Sequence, residues 1–174
     1  MHAVVVYESM FGDARAVAQA IADGLSDSFP ADVVAAAQAP AEIGADVGLL
    51  VVGGPNHAFG MPRQSTRQSA VQQHGAVVPD PATGLREWLT DVHVERTGLP
   101  AAAFDTRSSG HRLLVKMDRA AQTEEKLLRK LGVHLVAPAE HFFVADTKGP
   151  LVEGEQERAR RWGRSLTDLL GVRA

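Results

Sequence analysis

Short apolar runs that alternate with amphipathic segments constrain this chain most. Val47-Gly48-Leu49-Leu50-Val51-Val52 has no polar side chain at any position, and Ala3-Val4-Val5-Val6-Tyr7 is nearly as apolar. A strand with one solvated face alternates polar and apolar residues. Runs without alternation belong to strands covered on both faces, as in parallel sheets. Between these two runs, Val17, Ala18, Ile21 and Leu25 have spacings that share one helical face. A weaker strand is expected at Val33-Val34, after Phe29-Pro30, and the strong one stops at Gly53-Gly54-Pro55.

The same alternation continues to the end. Residues 63 to 92 read as helix, loop, helix, with Pro79-Asp80-Pro81 as punctuation and Leu85, Trp88 and Leu89 as an apolar face. Ala101-Ala102-Ala103-Phe104 is a fourth strand ending at Asp105. Leu127, Leu128 and Leu131 mark a helix closed by Gly132. Residues 133 to 144 hold a fifth strand, interrupted near Pro138. The last helix carries Ala159, Trp162, Leu166 and Leu169 on one face. The charge run Glu153, Glu155, Glu157, Arg158, Arg160, Arg161 reads as its solvated start. Trp88 and Trp162 read as core. Strands alternating with helices predict an α/β fold: a parallel sheet with helices on both faces, as a single domain over 1–174.

Composition removes several function classes. The chain has no Cys, which excludes thiol catalysis, cysteine metal sites and a disulfide-stapled fold. The seven His are scattered, without an i, i+4 pair on an expected helix, so no metal site is expected. A net charge of −3 gives no reason to expect nucleic acid. No basic segment with a cleavage site precedes the first strand, and no apolar run is long enough for a bilayer; the expectation is a cytoplasmic protein without a membrane partner.

In such sheets ligands sit beyond the carboxyl ends of the strands. Three loops leave those ends. The first, Glu8-Ser9-Met10-Phe11-Gly12-Asp13-Ala14, opens a helix, whose N-terminal N–H groups and partial positive charge suit a phosphate. Gly12 lets the backbone approach closely, and Ser9 supplies a hydroxyl. The alternative is an ordinary turn capped by Asp13. The second, Gly53-Gly54-Pro55-Asn56-His57-Ala58-Phe59-Gly60-Met61, sets an amide, an imidazole and a large ring on a glycine-rich turn. A planar heteroaromatic ligand needs such a combination, although Phe59 packed inward and His57 in water would also explain it. The third, Phe104-Asp105-Thr106-Arg107-Ser108-Ser109-Gly110-His111, is short and polar. Its plain alternative is an exposed loop with a weak Asp105–Arg107 surface pair. The dinucleotide and P-loop signatures are absent.

Val5-Val6-Tyr7-Glu8-Ser9-Met10-Phe11-Gly12, the second loop, Phe104-Asp105-Thr106-Arg107 and Asp146-Thr147-Lys148-Gly149-Pro150 together resemble the flavodoxin family, in its actinobacterial type. The resemblance spans essentially the whole chain. It implies a doubly wound five-stranded parallel sheet in the order 2-1-3-4-5 with FMN at the strand ends. By that resemblance Ser9, Met10, Phe11, Gly12, Asp13 and Ala14 hold the FMN phosphate. Pro55, Asn56, His57, Ala58, Phe59 and Gly60, with Asp105, Thr106 and Arg107, flank the ring. The implied function is electron transfer to a redox protein or reduction of a small acceptor such as a quinone. His57 has a pKa suited to proton transfer there. Two residues depart from the family's pattern: Ala14 lacks a hydroxyl, and Asp13 adds an anion beside the phosphate. They motivate a second reading, a flavodoxin fold that has lost or weakened FMN binding and acts as a binding or scaffold domain.

Overall fold

A computed structural model describes residues 1–28, 30–56, 60–109, 120–146 and 148–171. The chain begins with β1 (His2–Tyr7), α1 (Asp13–Leu25) and β2 (Ala31–Ala35), followed by a turn of 3-10 helix at Ala36–Gln38. Next come β3 (Glu42–Ile43), β4 (Val47–Pro55), α2 (Gln64–His74), α3 (Leu85–Asp91) and β5 (His93–Val94). The remainder is β6 (Pro100–Ser108), α4 (Ala120–Lys130), β7 (His134–Leu135), β8 (Glu140–Val144) and α5 (Glu155–Leu169).

The main sheet runs β2-β1-β4-β6-β7, with β8 also on β6, and every pairing in it is parallel. β7 pairs with the start of β6 and β8 with its end. The two are one strand interrupted around Pro138, a residue with no N–H for the ladder. With the small parallel pair β3–β5 set aside, the order is the 2-1-3-4-5 that the resemblance implies.

Both faces of the central strands are buried. Ala3, Val5, Leu49, Val51, Ala102 and Phe104 pack with Val17 and Ile21 of α1 and Ala159 and Leu166 of α5. Val4, Val6, Leu50, Val52, Ala101 and Ala103 pack with Leu85, Trp88 and Leu89 of α3 and Leu128 of α4. This two-sided burial is the reason the runs lack alternation. Trp88 is buried, and Trp162 meets the Phe142 ring edge-on with centroids 6.2 Å apart.

Three expectations change. Leu169 is 59% exposed. The buried face of α5 runs through Ala159, Gly163 and Leu166 instead, because α1 and α5 meet backbone to backbone. A Cβ on Gly24 would lie 2.1 Å from the Arg160 carbonyl oxygen, and one on Gly163 would lie 2.3 Å from that of Ile21. The charge run is also not wholly solvated. Glu155 is buried and accepts the Phe143 N–H at 2.7 Å, while Arg158 lies 4.4 Å over the Phe142 ring and pairs with Glu140 and Glu155. Finally, β4 and β6 outrun their expected ends. Gly53 and Gly54 stay in β4, and at Gly53 only glycine fits, since a Cβ there would sit 2.3 Å from the Phe104 ring. β6 continues to Ser108 because β8 pairs with it over Phe104–Ser108.

Candidate functional site

The first loop leaves β1 at Glu8, whose N–H donates to the Gly53 carbonyl at 2.9 Å. Gly12 is left-handed, with φ 103°, and its missing side chain would meet nothing within 4 Å. The space over it is open, and any other residue would be strained there. The Gly12 N–H donates to Ser9 Oγ at 3.1 Å, which leaves the Ser9 hydroxyl hydrogen available for another acceptor. Gly12, rather than Asp13, caps α1. The N–H groups of Ala14 and Arg15 belong to its first turn and have no carbonyl partner within the helix.

Asp13 turns away from that opening. Its carboxylate faces Gly149, where a Cβ would lie 2.5 Å from Oδ2, and accepts the Leu151 N–H. Burial pushes its pKa up, more than the Leu151 N–H and its own N–H pull it down. Ala14 is buried, with its methyl in the packed interior. Met10 is buried too, but against Ala70 and Ala76, with Phe11 and Val78 beside them. The side chain of Met10 therefore serves packing, and only its backbone stays with the loop.

Of the second loop, Pro55 ends β4, and Asn56 donates its N–H to the Thr106 carbonyl at 2.8 Å. This joins the second and third groups of expected site residues at one strand end. His57, Ala58 and Phe59 lie outside the described residues, as do Gly110, His111 and Thr147. Gly60 is described and has open space where a Cβ would point.

Asp105, Thr106 and Arg107 are not in a loop but in β6, and all three are buried. The Asp105–Arg107 pair is therefore not a surface pair. Arg107 Nε donates to Asp105 Oδ1 at 2.9 Å, and its Nη2 meets both Asp105 Oδ2 and His141 Nδ1. His141 Nδ1 lies 3.1 Å from Asp105 Oδ2. His141 is directly opposite Asp105 in the β6–β8 register. Sequence reading missed it, because only the register brings a residue 36 positions away beside that carboxylate.

A second buried cluster, also missed, sits under the first loop. Arg67 of α2 is fully buried. Its Nη1 donates to Glu8 Oε1 at 3.3 Å, its Nη2 to Glu87 Oε2 at 2.7 Å, and its Nε to the Pro81 carbonyl at 2.8 Å. Glu8 Oε2 accepts the Leu85 N–H at 2.8 Å. Burial raises the Glu8 pKa, against the lowering effects of the Leu85 N–H and Arg67. Gly84 is needed where these groups meet, since a Cβ there would lie 2.3 Å from Arg67 Nη1. The cluster fastens the connection between α2 and α3 to the sheet end. The Val77 N–H then donates to the Met10 carbonyl at 3.1 Å.

Between that connection, the first loop and the turn after β2 lies a cavity of about 370 Å³. Its walls include Ser9, Phe11, Gly12 and Arg15 on one side, Ala36 on another, and Val78 and Thr83 opposite. It opens on the β2 side of the first loop, away from Asn56 and β6.

No family model matches the chain, and no curated protein matches it by sequence. Solved structures do match. A flavodoxin from the domain Archaea superposes with a TM-score of 0.65 at 16% identity, covering 98% of this chain and 99% of that one. A short-chain flavodoxin associated with a non-canonical PDU bacterial microcompartment gives a TM-score of 0.64 at 16% identity, with 97% of each chain covered. A flavodoxin, WrbA-like protein from Agrobacterium tumefaciens gives 0.58 at 18% identity, with 99% of each covered. Among the described residues no helix is long and apolar enough to cross a membrane. A parallel sheet in this order, matched over nearly its full length by flavodoxin structures, makes this a chain of flavodoxin-like fold.

Proposed function

We propose that this protein binds FMN through the first loop and acts as a flavodoxin-like redox protein. The observation that carries the reading is the state of that loop. Gly12 is left-handed under open space, Ser9 holds the Gly12 N–H while keeping its own hydrogen, and the Asp13 carboxylate is turned towards Leu151. A phosphate group fits the chemistry of that donor set. Ser9, Gly12 and the first-turn N–H groups of Ala14 and Arg15 would hold it. Pro55, Asn56 and Gly60, with residues 57–59 of the same loop, belong with the ring in this reading. Bound FMN supplies one- and two-electron redox chemistry. The protein's part is to hold it and to limit water at the strand ends. A net charge of −3 is a weak field for steering a protein partner, which favours a small acceptor such as a quinone.

FMN titrated into the purified protein should quench flavin fluorescence to a saturable endpoint, and the yellow band should survive desalting. Ser9→Ala should weaken binding by about ten- to hundredfold, the value of one hydrogen bond to a charged group. A protein that stays colourless and leaves FMN fluorescence unchanged would overturn the proposal. NAD(P)H-driven quinone turnover by the flavin-loaded protein alone would favour a reductase over a carrier.

Asp13→Asn gives a separate test. The Asp13 pKa is raised by folding, so ionisation opposes the folded state. That penalty is absent below about pH 4, the ordinary carboxylate range, and grows as pH rises through the folded value. Asp13→Asn should therefore stabilise the protein at pH 7 and have little effect at pH 4, read by thermal unfolding at both. It should also tighten FMN binding at pH 7 by removing a nearby anion.

One observation favours a second reading, a binding domain without flavin. The Ala14 methyl is packed inside, so the position offers no hydroxyl and has little room for one. The colourless outcome above, with the fold intact by circular dichroism, would support it.

A further inference from the structure

The cavity on the β2 side of the first loop shares Ser9 and Gly12 with the proposed phosphate seat, but the residues assigned to the flavin ring do not account for it. Of the residues assigned to the flavin ring, Pro55 ends β4 and Asp105, Thr106 and Arg107 lie in the end of β6. Among the described residues, none of Pro55, Asn56, Gly60, Asp105, Thr106 or Arg107 lines this cavity. Its volume of about 370 Å³ lies within the range of small-molecule sites.

The far wall is built at some cost. It is the connection between α2 and α3, ten residues from Gly75 to Gly84 with no helix or strand of their own. That is longer than the roughly two to eight residues usual between packed helices. This one is held by a fully buried arginine paired with Glu8 and Glu87, by the Pro81 carbonyl on Arg67 Nε, and by the Val77–Met10 backbone bond. Ionic groups at this depth cost several kcal/mol of desolvation each before they attract one another. A clamp of this kind fixes a position, and the position encloses the cavity.

The walls define the ligand. Phe11, Val78, Pro79 and the alanines at 35–37 line the cavity with apolar surface, which suits a ring system. The polar groups are few. Ser9 and Thr83 carry hydroxyls, and Arg15, exposed on α1, adds a guanidinium. Glu8 borders the space, but its two carboxylate oxygens are occupied by Arg67 and the Leu85 N–H. Arg15 is thus the unopposed charge of the wall.

We propose that this cavity is a second ligand site, separate from the flavin seat, which takes a mostly apolar ring system carrying one negative group. The ligand's ring packs on Phe11 and Val78, and its anionic group faces Arg15. The site shares the Ser9–Gly12 loop with the proposed phosphate seat but approaches it from the other side. The two ligands would therefore touch one loop without overlapping.

The probe is 8-anilinonaphthalene-1-sulfonate, an anion on an apolar naphthalene ring whose fluorescence rises on leaving water. It should bind with one saturable site per chain. Arg15→Glu, on an exposed side chain, and Val78→Asp, on the apolar wall, should each weaken it at least tenfold. Arg129→Glu makes the same charge change on an exposed side chain of α4 and should leave binding unchanged. FMN at saturating concentration should shift the dye's affinity by no more than a few fold. Circular dichroism confirms that each variant is folded; if Val78→Asp is not, Arg15→Glu carries the test. Absence of a saturable phase would overturn the proposal. So would equal affinity in the Arg15 and Arg129 variants, since the dye would then lie elsewhere. Complete displacement of the dye by FMN in simple competition would also overturn it, because the cavity would then be the flavin seat. Failure of FMN to bind at all, with dye binding as described, would sink the flavin reading and leave this one standing.

Discussion

Arg67→Met should cost about 3–5 kcal/mol of folding stability, the usual effect of removing one partner from a buried ion pair. Methionine fills much of the same volume, so the loss is chiefly electrostatic. Glu8 is only 6% exposed. Without Arg67 its carboxylate keeps one donor, the Leu85 N–H, in a place where burial already opposes its charge. The carbonyls of Pro62, Pro81 and Ala82 lose their guanidinium donor as well. Glu8→Gln introduced together with Arg67→Met should recover part of the loss, because a neutral amide is cheaper to bury than an ion. The pH dependence has a definite sign. The Glu8 pKa lies above its unfolded value, so the penalty on its charge vanishes below about pH 4 and is complete once the pH exceeds the folded value. The deficit of Arg67→Met should shrink as pH falls from 7 towards 4, measured by urea midpoints. A deficit below about 1 kcal/mol, or one that grows in acid, would mean that the cluster is not a clamp. The total stability of a domain is commonly about 5–15 kcal/mol, so Arg67→Met takes a large share of it.

The contact between α1 and α5 should tolerate substitution equally badly. Gly24→Val places three carbon atoms where a Cβ alone would lie 2.1 Å from the Arg160 carbonyl oxygen. A flexible side chain could move aside, but a backbone oxygen cannot without moving its helix. The cost should reach about 3 kcal/mol, the upper end of ordinary overpacking. Helix propensity hardly offsets it, since valine and glycine differ by only a few tenths of a kcal/mol. For a chain of this length that corresponds to a fall of roughly 6–12 °C in Tm. If α5 is pushed outward, Trp162 loses its edge-on contact with Phe142, and tryptophan fluorescence should shift to longer wavelength. An unchanged Tm would show that the two helices are farther apart than described. Gly163→Val tests the reciprocal contact on Ile21.

The fold was legible because burial on both faces leaves a mark in the chain itself. Val47–Val52 and Ala3–Tyr7 could belong only to strands covered on each side, and the helical spacing of Val17, Ile21 and Leu25 supplied one of the covers. Strand limits were less legible. Gly53-Gly54-Pro55 has the composition of a turn, yet both glycines remain in β4, where the Phe104 ring fills the space a side chain on Gly53 would need. Leu169 follows its helical face by spacing but lies outside the contact, because close approach at Gly163 sets the line along which α5 meets α1.

The amino-acid order by itself determined the parallel sheet, because two-sided burial is a local pattern, and the family resemblance supplied its strand order. Tertiary structure alone decided where the charges went. Arg67 reaches Glu8 across 59 positions and Asp105 meets His141 across 36, and ion pairs at such separations leave no periodicity to read. Asp13 could cap a helix or face a phosphate by sequence, and it does neither, because the chain returns after β8 and offers it the Leu151 N–H. The β2-side cavity arises in the same way, from an irregular connection whose position is set by a buried guanidinium rather than by any pattern within the connection itself.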